Sequence, residues 1–332
     1  MFNNKNIIIT GGTGSFGKAF VLHVLKNYKI KKIVIFSRDE LKQFEFSNYL
    51  KNQGFDKKKI RFFIGDVRDK ERLKLAFQEM DYVVHAAALK QIVAAEYNPQ
   101  EVIRTNIQGA ENVIFAALEQ NVKKIIALST DKAVNPVNLY GATKLVSDKL
   151  FINANNLVGK KSSRFSVVRY GNVINSRGSV VPFFKKISSE KNFFPITDLK
   201  MTRFFITLEE GVKFVIKSFE RMNGGEVFIP KISSIKIIDI AKAIDPKIKI
   251  KIIGIRPGEK LHEILCPKDE SHLTIEFNDH FAIKPSIGIE VKSNYKINNI
   301  KEKGKDVENN FEYMSLNNNF LSIKEIKKII NQ

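Results

Sequence analysis

Short apolar runs alternate with longer stretches of mixed polarity through the first half of the chain. The runs are rich in β-branched residues, as at Ile33–Phe36 and Ile125–Leu128, which is typical of strands buried on both faces of a parallel sheet. We predict strands at Asn6–Thr10, Lys32–Phe36, Ile60–Ile64, Tyr82–His85, Lys124–Ser129 and Ser166–Tyr170. The stretches between them predict helices at Phe16–Lys29, Leu41–Asn52, Arg72–Gln78, Pro99–Gln120 and Tyr140–Asn155. This alternation predicts an α/β fold with a doubly wound parallel sheet.

The strand–helix rhythm breaks after Gly171, where Gly, Pro and basic residues begin to cluster, as at Asn172–Pro182 and Arg256–Glu259. We interpret this part of the chain as a smaller C-terminal substrate-binding lobe whose segments interleave with the sheet. We therefore predict three regions: a dinucleotide-binding domain with later segments returning to it, a region that is mainly the lobe, and an Asn-rich C-terminal extension. Their bounds are 1–171, 172–290 and 291–332.

The composition fits a globular protein, because 43% of the 332 residues are hydrophobic and 27% are charged. No apolar run approaches the roughly 18–20 residues that a membrane-spanning helix needs, so we expect no membrane span. The triplet Ile7–Ile9 is too short for the apolar region of a signal peptide. A single cysteine, Cys266, cannot form an internal disulfide. This fits a reducing compartment, and we expect a cytoplasmic protein.

The net charge of +20 raises the question of nucleic-acid binding. The lysines are spread along the chain, Lys57–Lys59 is the longest basic run, and no zinc-finger, RNP-like or homeodomain pattern occurs. We therefore expect no nucleic-acid partner, and a positive surface that steers an anionic substrate such as a nucleotide diphosphate. The histidines lack metal-ligand spacing, so no metal is expected.

A glycine-rich segment follows the first predicted strand and opens a helix. Gly12, Gly14 and Gly17 satisfy the G-x-G-x-x-G pattern in the strand–turn–helix context that it requires. The glycines allow a tight turn, a close approach to a pyrophosphate and close packing of helix on strand, while the helix N-terminus offers amide groups to phosphates. The segment predicts a Rossmann-like dinucleotide site formed by Thr10, Gly11, Gly14, Ser15, Phe16 and Gly17.

The end of the second predicted strand bears on which dinucleotide binds. An acidic residue there holds a ribose 2′-hydroxyl, whereas an arginine suits a 2′-phosphate. Ser37 and Arg38 therefore favour NADP, and Lys42 adds charge one turn into the next helix; the alternative for Arg38 is a solvated surface residue. Asp66 and Val67 follow the third strand, where a side chain can cap the adenine edge. Asp66 could equally be a helix cap or a turn residue.

Five residues form the candidate catalytic group. Tyr140 and Lys144 are four residues apart and share one face of a helix. A nearby ammonium lowers the pKa of a tyrosine, whose free value is about 10, so that Tyr140 can take a proton from a sugar hydroxyl. Thr130, Asp131 and Lys132 end the preceding strand, where ligands bind in open α/β sheets. Thr130 can bind the same hydroxyl, and the other two add an acid and a potential base.

Together the motifs resemble the inverting UDP-N-acetylglucosamine 4,6-dehydratases of the extended short-chain dehydrogenase/reductase superfamily, from Ile7 to about Ile287. Relatives that retain the C5 configuration carry Thr-Asp-Glu where this chain has Thr130-Asp131-Lys132. The segments that carry the resemblance are Gly11–Gly17, Ser37–Gln43, Phe62–Asp69, His85–Lys90, Leu128–Ala133, Asn138–Lys144, Val167–Val173, Arg177–Phe184, Met201–Thr207 and Arg256–Glu263.

The resemblance implies a mechanism and further site residues. Tyr140 would deprotonate the C4 hydroxyl as hydride passes to NADP, Lys132, if neutral, would take the C5 proton, and Asp131, if protonated, would donate to the departing C6 hydroxyl. Hydride return to C6 and protonation of C5 on the opposite face would complete the reaction. The resemblance implies that this is the first step of pseudaminic-acid-type nonulosonate synthesis, which is used in flagellin glycosylation. It also implies a homo-oligomer. The cofactor site would also include Ala86, Ala87, Lys90, Tyr140 and Lys144. The UDP-sugar would contact Lys90, Asn172, Arg177, Val180, Arg256 and Glu259.

Two other functions share part of this pattern. A C4- or C5-epimerase of the same superfamily would keep the cofactor loop and the Tyr–Lys pair, but a plain 4-epimerase expels no water and has no need of Asp131 and Lys132. A non-catalytic NADP-sensing regulator on the same fold would typically lose the Tyr–Lys pair, which this chain keeps.

Overall fold

The computed structural model of the protein describes residues 1–159, 162–174, 179–190, 193–287 and 294–331. The strands are β1 (Asn6–Thr10), β2 (Lys32–Ser37), β3 (Ile60–Ile64), β4 (Tyr82–His85), β5 (Lys124–Thr130), β6 (Arg164–Tyr170), β7 (Asn172–Val173), β8 (Phe193–Ile196), β9 (Thr202–Ile206), β10 (Val227–Pro230), β11 (Ser234–Lys236), β12 (Lys249–Ile252), β13 (Ile264–Cys266), β14 (Thr274–Glu276), β15 (His280–Ile283), β16 (Lys305–Asp306) and β17 (Tyr313–Met314). The α-helices are α1 (Ser15–Asn27), α2 (Glu40–Asn52), α3 (Lys70–Phe77), α4 (Ile92–Tyr97), α5 (Pro99–Ile103), α6 (Gly109–Glu119), α7 (Leu139–Asn153), α8 (Val180–Glu190), α9 (Leu208–Arg221), α10 (Ile237–Ile244) and α11 (Ile323–Ile330).

Ten strands form one large sheet in the order β3-β2-β1-β4-β5-β6-β10-β15-β14-β16. The strands from β3 to β10 are parallel to one another, and β15, β14 and β16 extend the sheet in antiparallel fashion. The order reverses between β1 and β4, so the carboxyl ends of these strands flank a crevice of the kind in which open α/β sheets bind ligands. The prediction of a Rossmann-like doubly wound parallel sheet is confirmed.

Helices cover both faces of the sheet because side chains alternate along each buried strand. On β1, Ile8 packs into the hydrophobic cluster on one face, whereas Ile7 and Ile9 pack into the cluster on the other. The first cluster includes residues of α3, α6 and α7, and the second includes residues of α1, α2 and α9. Packing against the two clusters fixes the positions of the strand ends, and therefore also the positions of the loops that follow them.

The predicted helix at Pro99–Gln120 is interrupted by a π-helical turn. Between α5 and α6, residues Arg104–Gln108 have π-helical hydrogen bonding, a feature that is frequent at functional sites. The turn contains the buried Asn106, whose amide accepts from Leu89 N at 2.8 Å and donates to Leu89 O at 2.9 Å and to Thr143 Oγ1 at 3.0 Å. The widened turn thus joins the loop after β4 to α7.

The remaining elements form a smaller lobe with its own hydrophobic cluster. It contains the sheet β11-β9-β7, the parallel pair β12-β8, and helices α8 and α10. The C-terminal segment contributes to both parts of the molecule: β16 joins the large sheet, and Ile326 and Ile330 of α11 are buried in the lobe. A capping box of Ser322 and Glu325 starts α11. In the described part of the chain, no helix has the length and apolar character needed to cross a membrane.

Candidate active site

The loop between β1 and α1 is shaped to accept a phosphate group. Gly11 has φ +69°, and a Cβ there would lie 2.8 Å from Ala87 N, so only glycine fits this turn. At Gly17 a Cβ would lie 2.6 Å from Gly12 Cα, so glycine is needed where α1 meets the loop. The helix begins after Gly14 without a side-chain cap from any described residue. Its first-turn amides are therefore directed at the crevice, and the cradle fits a dinucleotide pyrophosphate.

The end of β4 forms the second wall of this cradle. Thr10 Oγ1 hydrogen-bonds His85 Nδ1 at 2.8 Å and accepts from Ala87 N at 3.4 Å, which holds Ala86 and Ala87 against the glycine loop. Complete burial, aided by the charge of Lys144, lowers the pKa of His85 to about 3. The imidazole is therefore neutral and serves to position the loop.

The predicted 2′-phosphate residues lie together at the end of β2. Arg38 is 55% exposed, and its Nη1 lies 3.6 Å from Asp66 Oδ2, while Lys42 pairs with Asp39 on the first turn of α2. Asp66 Oδ1 accepts from Arg68 N at 3.0 Å, as in a turn. Burial raises the pKa of Asp66, but hydrogen bonds from Arg68 and the charge of Arg38 outweigh it, and the net pKa is lowered.

Two further predicted cofactor residues differ in position. Ser37 Oγ lies 2.7 Å from Thr13 Oγ1, so that its side chain faces the glycine loop. Val67 is buried in the core on the α3 and α6 face, and its carbonyl accepts from Asn112 Nδ2 at 3.0 Å. The Val67 side chain therefore belongs to the sheet packing below the crevice.

Helix α7 carries Tyr140 and Lys144, both of which are buried. Asn138 caps the helix by accepting from Gly141 N at 2.7 Å, and its amide donates to Gly258 O at 2.8 Å. A Cβ at Gly141 would lie 2.1 Å from the Lys132 carbonyl oxygen. The start of α7 is therefore packed directly on the segment that follows β5, which brings the two predicted catalytic groups together.

Thr130, Asp131 and Lys132 form a short hydrogen-bonded chain at the end of β5. Asp131 Oδ1 accepts from Thr130 Oγ1 and from Lys132 Nζ, each at 2.8 Å. Lys132 Nζ also lies 3.3 Å from Glu263 Oε1. The Lys132 side chain is 20% exposed, whereas that of Asp131 is fully buried. Lys132 is thus the member of this pair that is partly exposed.

The pKa of Tyr140 differs from the sequence-based expectation. Burial raises it to about 12, against an opposing effect of the Lys132 charge and a hydrogen bond with Thr130. We predicted a lowered value, with Lys144 as the cause, and this prediction is wrong. The spacing of Tyr140 and Lys144 indicated a cation near the phenol. It gave no information on burial, which disfavours the charged phenolate and so raises the pKa.

The charge state of Lys132 bears on its predicted role as a base. A base at C5 must be neutral, but the charges of Asp131 and Glu263 outweigh burial and raise the pKa of Lys132. The side chain is therefore an ammonium at neutral pH in this structure. The condition that Lys132 be neutral is not met in this structure, because the sequence places one carboxylate beside it and the fold adds a second.

Lys144 lies near a second buried charge pair, formed by Asp148 and Arg169. Burial lowers its pKa, and the charge of Asp148 acts in the opposite direction. Asp148 Oδ2 accepts from Ser129 Oγ at 2.7 Å and from Arg169 Nη2 at 3.3 Å. These hydrogen bonds fix the position of Asp148 next to the Tyr–Lys pair.

Of the predicted substrate residues, Arg177 lies outside the described residues, Lys90 follows β4, and the others belong to segments after β6: Asn172, Val180, Arg256 and Glu259. The buried Oδ1 of Asn172 has no hydrogen-bond partner among the residues that the structure describes. Arg256 is 63% exposed and pairs with Glu259, and Val180 begins α8. Across the crevice, burial and the charge of Lys132 lower the pKa of Lys90.

Three charged residues that sequence analysis did not assign complete the site: the buried Glu263 and Arg203, and the half-buried Lys260. Glu263, 2% exposed, lies 3.3 Å from Lys132 Nζ, 3.3 Å from Lys260 Nζ and 3.7 Å from Arg203 Nε. Glu263 ends the segment Arg256–Glu263 and Arg203 lies within Met201–Thr207, two segments that carried the resemblance. The available signal was a charged residue at an otherwise apolar boundary, since Ile264–Cys266 is a strand.

Comparisons with known proteins agree with this geometry. Residues 7–285 match the family described as polysaccharide biosynthesis protein. A Campylobacter jejuni subsp. jejuni serotype O:23/36 (strain 81-176) protein named UDP-N-acetylglucosamine 4,6-dehydratase (inverting) is 60% identical over 334 residues, which cover 100% of this chain and 98% of that protein. A Rickettsia bellii (strain OSU 85-389) protein named UDP-glucose 4-epimerase is 40% identical, with 99% and 96% covered.

A solved structure of similar length has the same fold. The X-ray structure of Pen from Bacillus thuringiensis superposes with a TM-score of 0.88 at 37% identity, covering 100% of this chain and 98% of that one. The resemblance found in the motifs is thereby confirmed over the whole chain. The chain belongs to the polysaccharide biosynthesis protein family. Because it is 60% identical over its whole length to a protein named UDP-N-acetylglucosamine 4,6-dehydratase (inverting), it also belongs to the family of inverting UDP-N-acetylglucosamine 4,6-dehydratases.

Proposed function

We propose that the protein converts UDP-N-acetylglucosamine to UDP-2-acetamido-2,6-dideoxy-β-L-arabino-hexos-4-ulose by eliminating water and inverting C5. The observation that carries this proposal is the position of Lys132, which is partly exposed to the crevice and paired with the buried Asp131 beside Tyr140. A 4-epimerase needs the tyrosine but has no use for a second base. The family membership supports the same substrate and reaction.

In this reaction Tyr140 takes the proton of the C4 hydroxyl, with Thr130 as its hydrogen-bonding partner. A bound nicotinamide supplies the acceptor for hydride from C4 and the donor that returns it to C6. The 4-ketone makes the C5 proton acidic, and Lys132 removes it after its own ammonium proton has passed to solvent. Once hydride has returned to C6, C5 takes a proton on the opposite face, which inverts that centre. Lys144, whose charge interacts with that of Asp148, would hold the ribose next to the nicotinamide.

Asp131 is proposed as the acid for the departing C6 hydroxyl. Its Oδ1 is occupied by Thr130 and Lys132, while its buried Oδ2 has no hydrogen-bond partner in the described part of the chain. Because the side chain is fully buried, donation requires the Asp131–Lys132 segment to shift toward the sugar.

We propose NADP as the cofactor, and a cytoplasmic homo-oligomer that supplies pseudaminic-acid-type nonulosonate synthesis. Gly11 and Gly14 provide the pyrophosphate cradle, and Arg38 with Lys42 provides positive charge at the end of β2. Arg38 is more than half exposed and can turn from Asp66 to a 2′-phosphate, which it can bind in a bidentate fork.

Replacing Arg38 tests the preference for the 2′-phosphate. In Arg38→Ala we expect NADP binding to weaken about 10–100-fold, the usual effect of losing a charge-assisted hydrogen bond, and NAD binding to change little. Calorimetric titration with both dinucleotides measures this. Arg104→Ala is the matched control, because Arg104 is 62% exposed and also pairs with one carboxylate, Glu101. Equal losses for both cofactors would contradict the NADP proposal.

The reaction itself is tested by incubating the purified protein with UDP-N-acetylglucosamine in D₂O and following products by proton NMR. A 4-keto-6-deoxy sugar with deuterium at C5 and inverted C5 couplings is the expected result. A 4-keto product with retained C5 would remove the inversion from the proposal. A C4 epimer that still bears its C6 hydroxyl would show an epimerase instead.

A further inference from the structure

The ammonium of Lys132 lies between two buried carboxylates from distant parts of the chain. Asp131 Oδ1 is 2.8 Å from Lys132 Nζ and Glu263 Oε1 is 3.3 Å from it. Asp131 precedes Lys132 in sequence, whereas Glu263 immediately precedes β13. A neighbour in sequence moves with the lysine, but Glu263 is anchored independently and can hold the Nζ atom in one position relative to the sheet.

Glu263 is itself fixed by the C-terminal segment. Its amide donates to Ser315 Oγ at 2.9 Å, and Ser315 N donates to its carbonyl oxygen at 2.8 Å. Ser315 Oγ also lies 2.7 Å from Thr202 Oγ1, which in turn lies 2.8 Å from His262 Nδ1. The carboxylate of Glu263 therefore projects toward Lys132 from a rigid, hydrogen-bonded backbone.

Charge balance explains why this carboxylate is tolerated in the interior. Arg203 Nε and Lys260 Nζ lie 3.7 and 3.3 Å from Glu263, and Lys260 also donates to Val134 O at 2.7 Å. The charged and titratable groups around Lys132 are thus Asp131, Glu263, Arg203, Lys260, Tyr140 and Lys90. With only 2% of its side chain exposed, Glu263 does not reach the substrate.

We propose that Glu263 is a positioning residue for the chemistry at C5: its carboxylate holds the Lys132 side chain at the crevice surface and sets the pH at which that side chain becomes a base. This inference rests on the proposed dehydratase function. A second carboxylate stabilises the ammonium, so the lysine stays protonated until substrate or pH removes that proton. Asp131 can then leave Lys132 and contact the C6 hydroxyl, because Lys132 stays paired with Glu263.

The test is the pH profile of C5 hydrogen exchange and of product formation in Glu263→Gln. Removing one negative charge next to an ammonium favours the neutral amine. The rising limb of the kcat profile should therefore move to lower pH by about 1–3 units. The plateau of kcat should fall about tenfold or more because Nζ is less well placed, while KM changes little. Glu276→Gln, which removes a carboxylate paired with Lys231 and Lys305 outside this site, is the matched control.

The outcomes separate this inference from the function on which it rests. If the unaltered protein makes no 4-keto-6-deoxy product, the proposed function fails whatever the variants do. If it does, and the folded Glu263→Gln profile superposes on that of the unaltered protein, the positioning role is wrong. Should Glu263→Gln not fold, Glu263→Asp decides. Glu263→Asp keeps the negative charge, so the rising limb of the kcat pH profile should stay in place while kcat falls. An unchanged kcat, or a second failure to fold, overturns the proposal.

Discussion

Tyr140→Phe should lower the rate of product formation by about 10²–10⁴-fold, the usual contribution of a positioned acid–base group. Phenylalanine fills the same buried volume, so the loss is confined to the phenol oxygen that takes the C4 proton. The effect falls on the first step, and neither C5 exchange nor water loss should follow. Single-turnover NMR with UDP-N-acetylglucosamine measures all three events in one sample.

The pH dependence gives this prediction a second readout. Burial raises the pKa of Tyr140 to about 12, so the phenol is protonated at neutral pH, and the rate of C4 oxidation should rise with pH in the unaltered protein. The residual rate of Tyr140→Phe should not. Tyr49→Phe, on α2 and 47% exposed, controls for loss of a hydroxyl elsewhere. A Tyr140→Phe protein with normal turnover would show that another base acts at C4.

The parts of the molecule that could be predicted from sequence depend on local patterns. The bounds of β1, β3 and β4 agree with the predicted strands. In β1 and β4 the reason is that central parallel strands are buried on both faces. The glycine loop and the Tyr140–Lys144 spacing are equally local, since each depends on a single turn or helix face. These local features are the basis of the predicted cofactor loop and of the predicted Tyr–Lys pair.

The electrostatics of the site could not be predicted in this way. The spacing of Tyr140 and Lys144 suggested a lowered tyrosine pKa, yet burial, which depends on the whole fold, has the larger effect and the opposite sign. Glu263 reaches Lys132 only because the lobe folds back on β5. The π-helical turn at Asn106 likewise follows from packing against Leu89 and Thr143, and not from local propensity.

Lys132→Met should separate the two halves of the reaction. Methionine replaces the length of the lysine stem without its amine. Tyr140 can therefore still take the proton of the C4 hydroxyl while hydride from C4 goes to a bound nicotinamide, but C5 has no base. We expect product formation and C5 deuterium exchange to fall about 10²–10⁴-fold, while the C4-oxidised sugar accumulates on the protein. Rapid quenching and NMR of the bound sugar, with C4 deuterium as the label, measure the two steps separately.

The cost to the fold must be measured beside the kinetics. Without the ammonium, Asp131 and Glu263 face each other across a buried gap, and two like charges there favour binding of a proton. Lys132→Met should therefore gain stability as the pH falls, relative to the unaltered protein, in thermal unfolding at several pH values. Lys123→Met is the control, because Lys123 precedes the opposite end of β5 and pairs with Asp81 at 2.7 Å. If Lys132→Met still exchanges C5 at the normal rate, Lys132 is not the C5 base, and the base must come from another group at the crevice.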